Sequence, residues 1–180
     1  ATAEAAIAGA QDVLRRCSPA LTMSLRDVKR CLYVAAWVLR QVKGDVFPSN
    51  PQDALVLSLG LCYALKLERS KDREALGAAV ATSLQVSDSH LDAVLLKTSK
   101  KLVRQLEPFE RDVSANWHLR ENLLISFVCI MARVPLFLVG EPGSSKNLAL
   151  SLLIDKCRGE VAQNAFLKRY PRVQSFPLQC

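Results

Sequence analysis

The segment Gly140-Glu-Pro-Gly-Ser-Ser-Lys146-Asn147 constrains this chain more than any other. It follows a five-residue apolar run, Pro135-Leu-Phe-Leu-Val139, and leads into a stretch carrying Leu148, Leu150, Leu152, Leu153 and Ile154. A short continuous apolar run closed by glycine reads as a strand buried on both faces of a parallel sheet, and the leucine-rich stretch from Ser145 to about Cys157 reads as a helix. Strand, glycine-containing turn and helix form the setting of a phosphate-binding P-loop. Glycines permit the turn and a close backbone approach, the helix N-terminus supplies partial positive charge, and a lysine at position 146 reaches the outer phosphates. The expected phosphate cradle comprises Gly140, Glu141, Pro142, Gly143, Ser144, Ser145, Lys146 and Asn147.

Two residues depart from the usual pattern. Ser145 stands where the last glycine is expected, and Asn147 replaces the Ser or Thr whose hydroxyl binds Mg²⁺. An asparagine carbonyl ligates hard cations, but its longer side chain places the oxygen differently, and octahedral Mg²⁺ tolerates that poorly. Nucleotide binding by ATP or ADP is therefore expected to survive better than hydrolysis. A second strand is expected over Val173 to Cys180, giving one β-α-β beginning with no acidic pair after it, so these residues alone are expected to fall short of a complete ATPase.

Everything before the P-loop reads as helix. Ile7, Ala10, Val13 and Leu14 mark a first helix over Thr2 to Arg16, broken at Ser18-Pro19. Ser24 and Asp27 form a capping-box pattern ahead of Val28, Cys31, Leu32, Ala35, Val38, Leu39 and Val42, up to Gly44. Asn50-Pro51 opens a helix that is apolar on nearly every side through Leu67. Ser70 is expected to cap a fourth helix to Leu84, and Ser87 or Asp88 a fifth that stops before Pro108. After a charged break at Phe109 to Asp112, Ser114 is expected to cap a helix burying Leu119, Leu123, Leu124, Phe127, Ile130 and Met131. The resulting division is a helical region over 1–112 and the start of an α/β domain over 113–180: mainly α, then the first, incomplete β-α-β of a P-loop large domain.

Composition excludes several classes. Half the residues are hydrophobic, too many for a disordered chain, yet no apolar run reaches the roughly twenty residues of a bilayer span. This predicts a soluble protein without a transmembrane span. The start Ala-Thr-Ala-Glu-Ala-Ala-Ile lacks the features of a secretion signal and reads as part of a longer chain. The net charge of +7 is spread along the helices and is not interleaved with aromatics, which argues against nucleic acid. The six cysteines stand singly, without a C-x-x-C pair, and predict reduced thiols in a cytosolic protein. His90 and His118 lack ligand-like neighbours, so no metal site is expected, and Trp37 and Trp117 are assigned to packing. No catalytic residue is assigned.

The stretch from Asn122 through Lys146, with its Gly-x-Pro-Gly-Ser-Ser-Lys core, resembles the mysterin family of giant AAA+ RING-type ubiquitin ligases, as does the Gln179-Cys180 that ends the expected second strand. Ser24-Leu-Arg-Asp27-Val-Lys-Arg30 resembles the lid-helix signature of AAA+ modules, and Gly44 to Arg111 matches only as a helical lid of suitable length. The resemblance implies the lid of one AAA+ module joined to the large-domain start of the next, within a tandem array like that of dynein. Arg26 is then a sensor for the outer phosphate at the preceding module's site, and the serine favoured by the family at position 147 is replaced here by Asn147. For the parent it implies a cytoplasmic ligase associated with lipid droplets, with a zinc-bearing RING elsewhere and with ubiquitin and a ubiquitin-conjugating enzyme as partners. For this chain it implies neighbouring AAA+ modules as partners. Two other readings stay open: a silent helical scaffold, favoured by a Lys146 held in an internal salt bridge, and a dynein-like motor segment.

Overall fold

A computed structural model describes residues 3–17, 24–41, 45–67, 69–109 and 113–176. The chain divides into two compact units, Ala1–Thr98 and Ser99–Cys180, with the boundary inside one continuous helix.

The first unit holds α1 (Ala3–Cys17), α2 (Leu25–Leu39), α3 (Pro51–Cys62), α4 (Ser70–Leu84) and the first half of α5 (His90–Leu106). Helix α3 is its centre because its sequence offers no polar side: every residue from Ala54 to Cys62 is buried. Asn50 starts it by accepting the Asp53 N–H at 2.7 Å, with Pro51 at the first helical position where no N–H is needed. The one hydroxyl this burial encloses, Ser58, is satisfied by the Leu55 carbonyl at 2.8 Å and the Cys31 sulfur at 3.3 Å. Helix α2 packs on α3, and α1 packs on α4, where small residues bring the backbones together: Ser83 Oγ reaches the Ala5 carbonyl at 3.4 Å. His90, which the sequence offered no role, pairs its Nε2 with Asp53 Oδ1 at 2.7 Å and ties α5 to α3.

At the head of α2, Asp27 Oδ2 accepts from the N–H and the hydroxyl of Ser24, both at 3.0 Å, and Lys66 Nζ lies 3.3 Å from Oδ1. Burial alone would raise the Asp27 carboxyl. The Ser24 N–H, the Lys66 ammonium and the Ser24 hydroxyl together outweigh it and hold the group below the ordinary carboxylate value.

The second unit contains the end of α5, α6 (Trp117–Met131), α7 (Lys146–Lys156) and α8 (Ala165–Lys168). Leu119, Leu123, Leu124, Phe127 and Val128 bury one side of α6, and Ala149, Leu152 and Leu153 of α7 meet it. Phe127 extends that core into an aromatic cluster with Phe166 at 5.7 Å and Tyr170 at 4.9 Å between ring centroids. Asn164 starts α8 by accepting the Leu167 N–H, and its amide donates to the Gln105 carbonyl at 2.6 Å.

Several expectations need correction. Asn116, not Ser114, caps α6, accepting the Leu119 N–H at 2.8 Å. Ser70 is the first residue of α4, with Arg69 before it, and its hydroxyl donates to Glu74. Trp117 is half exposed and lies against His118, because position 117 falls on the outer side of α6, while Trp37 meets Phe47 edge-on at 5.2 Å. The described residues contain no strand. Residues 134–139 form no strand, with Phe137 and Val139 91% and 92% exposed. A strand requires a neighbouring strand to form a ladder with it, and there is none among the described residues. Residues 171–176 form none either, held by Val173 N–H on the Cys157 carbonyl at 2.9 Å, and Gln179-Cys180 lies outside the described residues. The five cysteines at 17, 31, 62, 129 and 157 are free thiols, and burial pushes Cys157 up to about 12. Cys180 lies outside the described residues.

Two measurements check this account. A group whose folded-state value is depressed stabilises the fold above the unfolded value, and that contribution disappears as pH falls through the folded value. Asp27→Asn is therefore expected to lower stability by about 1 kcal/mol at pH 7 and by progressively less as pH falls through the carboxylate range, read from urea unfolding at both ends. Ser126 Oγ is buried with no hydrogen-bond partner, so Ser126→Ala is expected to raise stability by about 1 kcal/mol. A lower denaturation midpoint for that variant contradicts the account.

Candidate phosphate-binding loop

The loop from Gly140 to Asn147 is carried between two helix ends. Helix α6 closes with Arg133 in the left-handed region, φ 56°, and the Val134 N–H bonded to the Cys129 carbonyl at 2.8 Å, which turns the chain out of the helix. The extended residues 134–139 lead to Gly140, and α7 starts at Lys146.

Within the loop, Gly143 has φ 82°, a conformation that side chains with a Cβ rarely adopt. Ser145, at the position where a final glycine was expected, also takes a left-handed conformation, φ 60° and ψ 17°, so the backbone here has glycine-like geometry despite the serine. Its side chain does not cap α7. The first N–H groups of α7 have no intrahelical acceptor, and without a cap they remain donors for an external oxygen.

Lys146 folds over its own loop. Nζ donates to the Gly140 carbonyl at 2.8 Å, the Glu141 carbonyl at 2.7 Å and Ser144 Oγ at 2.6 Å. Ser144 Oγ also donates to the Glu141 carbonyl at 2.8 Å, and the Ser144 carbonyl accepts from Asn122 Nδ2 at 2.7 Å. Asn122 stands on α6, one turn before Ser126, and the sequence assigned it no role beyond membership of the resembling stretch.

Gly140, Glu141, Pro142, Gly143, Ser144, Ser145, Lys146 and Asn147 thus form one continuous turn around the lysine ammonium, with Asn147 exposed in the first turn of α7. Arg26 stands exposed in the first turn of α2, in the other compact unit. Among the described residues no group of three or more His, Cys, Asp or Glu side chains is placed to hold a metal ion.

The chain thus runs from a helical unit through α6 and a glycine-bearing loop into α7, an order that more than one class of protein could use. Comparison with known proteins identifies which one: the family described as RNF213 AAA domain matches residues 112–180. The chain is 30% identical over 175 residues to the human E3 ubiquitin-protein ligase RNF213 and 31% identical over 168 residues to the zebrafish (Danio rerio) ligase rnf213-beta. Each match covers 88% of this chain and 3% of the relative's length. The mouse RNF213 ligase matches at 30% over 178 residues. The chain is an AAA+ segment of an RNF213-like protein, and the resemblance to the mysterin ligases, of which RNF213 is one, holds along most of its length. No helix among the described residues is long and apolar enough to cross a membrane.

Proposed function

We propose that the loop 140–147 binds the phosphates of ATP or ADP, within the AAA+ array of a ubiquitin ligase like the RNF213 relatives. The observation that carries this reading is the position of Lys146. Its ammonium is held at the centre of the turn by three neutral oxygens, at 2.6 to 2.8 Å, and not by a carboxylate. Phosphate oxygens can replace neutral acceptors around a cation with a gain in charge pairing, whereas displacing a carboxylate would sacrifice one. The uncapped N-terminus of α7 and the left-handed Ser145 supply the backbone side of the same cradle. The internal salt bridge that would favour a silent scaffold is not what these contacts form.

Bound ATP would bring Mg²⁺, and Asn147 is the residue in the usual ligand position for it. The amide carbonyl sits on a longer side chain than a hydroxyl and places its oxygen differently, which octahedral Mg²⁺ tolerates poorly, so this module binds nucleotide to hold its conformation and hydrolyses it slowly. Arg26, in the unit that resembles a lid, serves the preceding module's nucleotide. Ligation, with zinc in a RING, ubiquitin and a conjugating enzyme, belongs to other parts of the parent protein, as does any lipid-droplet association in the cytoplasm. The neighbouring AAA+ modules are this segment's immediate partners.

Titration with ATP and ADP, with and without Mg²⁺, tests the proposal on this chain and on a longer piece of the parent that holds the whole module. Lys146→Ala is expected to weaken ATP binding at least tenfold, since a charge-assisted contact of this kind contributes about 1.5–3 kcal/mol. Asn147→Ser is expected to add Mg²⁺-dependent turnover in the longer piece. Equal affinity for wild type and Lys146→Ala would leave the scaffold reading standing.

A further inference from the structure

The phosphate loop is held by a residue outside it. Asn122 donates its side-chain N–H to the Ser144 carbonyl at 2.7 Å across 22 residues of sequence. A carbonyl accepts only, so the contact fixes which way the Asn122 amide faces. Ser144 is also where the other loop contacts converge: its hydroxyl meets the Lys146 ammonium and the Glu141 carbonyl, and its N–H approaches the same carbonyl at 3.4 Å.

The consequence follows from peptide geometry. The Ser144–Ser145 peptide is trans and planar, so its C=O and N–H point in opposite directions. With the carbonyl drawn toward α6 by Asn122, the Ser145 N–H is turned away from α6. Ser145 itself is in the left-handed region at φ 60°, which costs a residue with a Cβ on the order of 1 kcal/mol and persists only where neighbouring contacts over-determine it. Asn122 provides such a contact at the peptide just before the strained residue. Glycine would adopt this conformation unaided, so a loop with serine at this position needs an external hold where a glycine loop does not.

We propose that Asn122 is a positioning residue for the phosphate site: it compensates for the serine at position 145 by orienting the Ser144–Ser145 peptide so that the Ser145 N–H faces the phosphate. The part of this inference that concerns a ligand rests on the nucleotide reading above; the part that concerns the loop does not. Asn122 is half-buried on the flank of α6, away from the Leu119, Leu123 and Phe127 positions that build the core, so its replacement leaves the packing intact.

The test uses the ¹⁵N-labelled chain with Asn122→Asp, Asn122→Ala and Asn122→Gln, followed first without ligand and then with ATP and Mg²⁺. Without ligand, Asp and Ala are expected to shift the Ser144, Ser145 and Lys146 amide resonances. They are also expected to speed exchange of the Ala149 amide, which closes the first turn of α7 on the Ser145 carbonyl, about tenfold, while Gln, which keeps the donor, restores part of the protection. Resonances of the Phe127, Phe166 and Tyr170 cluster should stay in place. With ATP, Asp and Ala are expected to bind about tenfold more weakly than wild type. Unchanged loop resonances and Ala149 exchange in both Asp and Ala overturn the positioning role, whether or not nucleotide binds. Wild-type loop resonances that ATP leaves unmoved overturn the nucleotide reading and the ligand part of this proposal, while the ligand-free data still decide the loop part.

Discussion

The burial of one side of α6 is the constraint on which the candidate site depends. Leu119, Leu123, Leu124, Phe127 and Val128 fix the rotation of the helix about its axis, because each large side chain taken from water contributes roughly 1.5–3 kcal/mol. Once that rotation is fixed, the position of every other α6 residue is fixed too. Asn122 falls on the flank that meets the loop, and Arg133 falls at the end, where the chain must turn. The contact of α7 with the same buried side sets the far end of the loop. The connection from α6 to α7 runs between two helices that pack on each other, and within it the loop's lysine is held by the loop's own oxygens. Hydrophobic packing thus preorganises the loop, and polar contacts refine it.

The first unit is built on a different balance. Helix α3 is enclosed on all sides, and such a helix must dispose of every polar group it carries; Ser58 is satisfied within the core, and Asp53 and Asn50 work at the exposed head. The N-termini of α2 and α3 are set by hydrogen bonds between residues three apart, which suits elements whose sequence period alone would leave their boundaries loose.

What was legible in the sequence divides along this line between local and distant causes. Helices α1 to α7 were readable because apolar spacing reports the buried side directly, and the caps at Ser24 and Asn50 because their partners lie three residues away. The loop over 140–147 stood out as a continuous motif. The cap of α6 was misplaced by two residues because Ser114 and Asn116 are chemically equivalent candidates, and only the chain's approach to the helix selects Asn116. The Asn122–Ser144 and His90–Asp53 contacts span 22 and 37 residues, and nothing in a single sequence pairs them. In Asn122 a polar residue beside an apolar stripe was the available signal, and it is a common one.

The extended segment before the loop shows how a sequence can describe surroundings wider than the residues that fold together here. Residues 135–139 are apolar without alternation, the composition of a strand covered on both faces. In the structure Leu136 and Leu138 are half-buried, whereas Phe137 and Val139 are almost fully exposed, so one face is covered and the other is open. Large apolar side chains left on such an open face keep the cost of their exposure to water until something covers them. The geometry of the loop does not wait for such cover, because Asn122 of α6 and the first turn of α7 already hold it. On the nucleotide reading proposed above, turnover would need carboxylates to position Mg²⁺ and water in addition to the loop, so binding and hydrolysis would be separable.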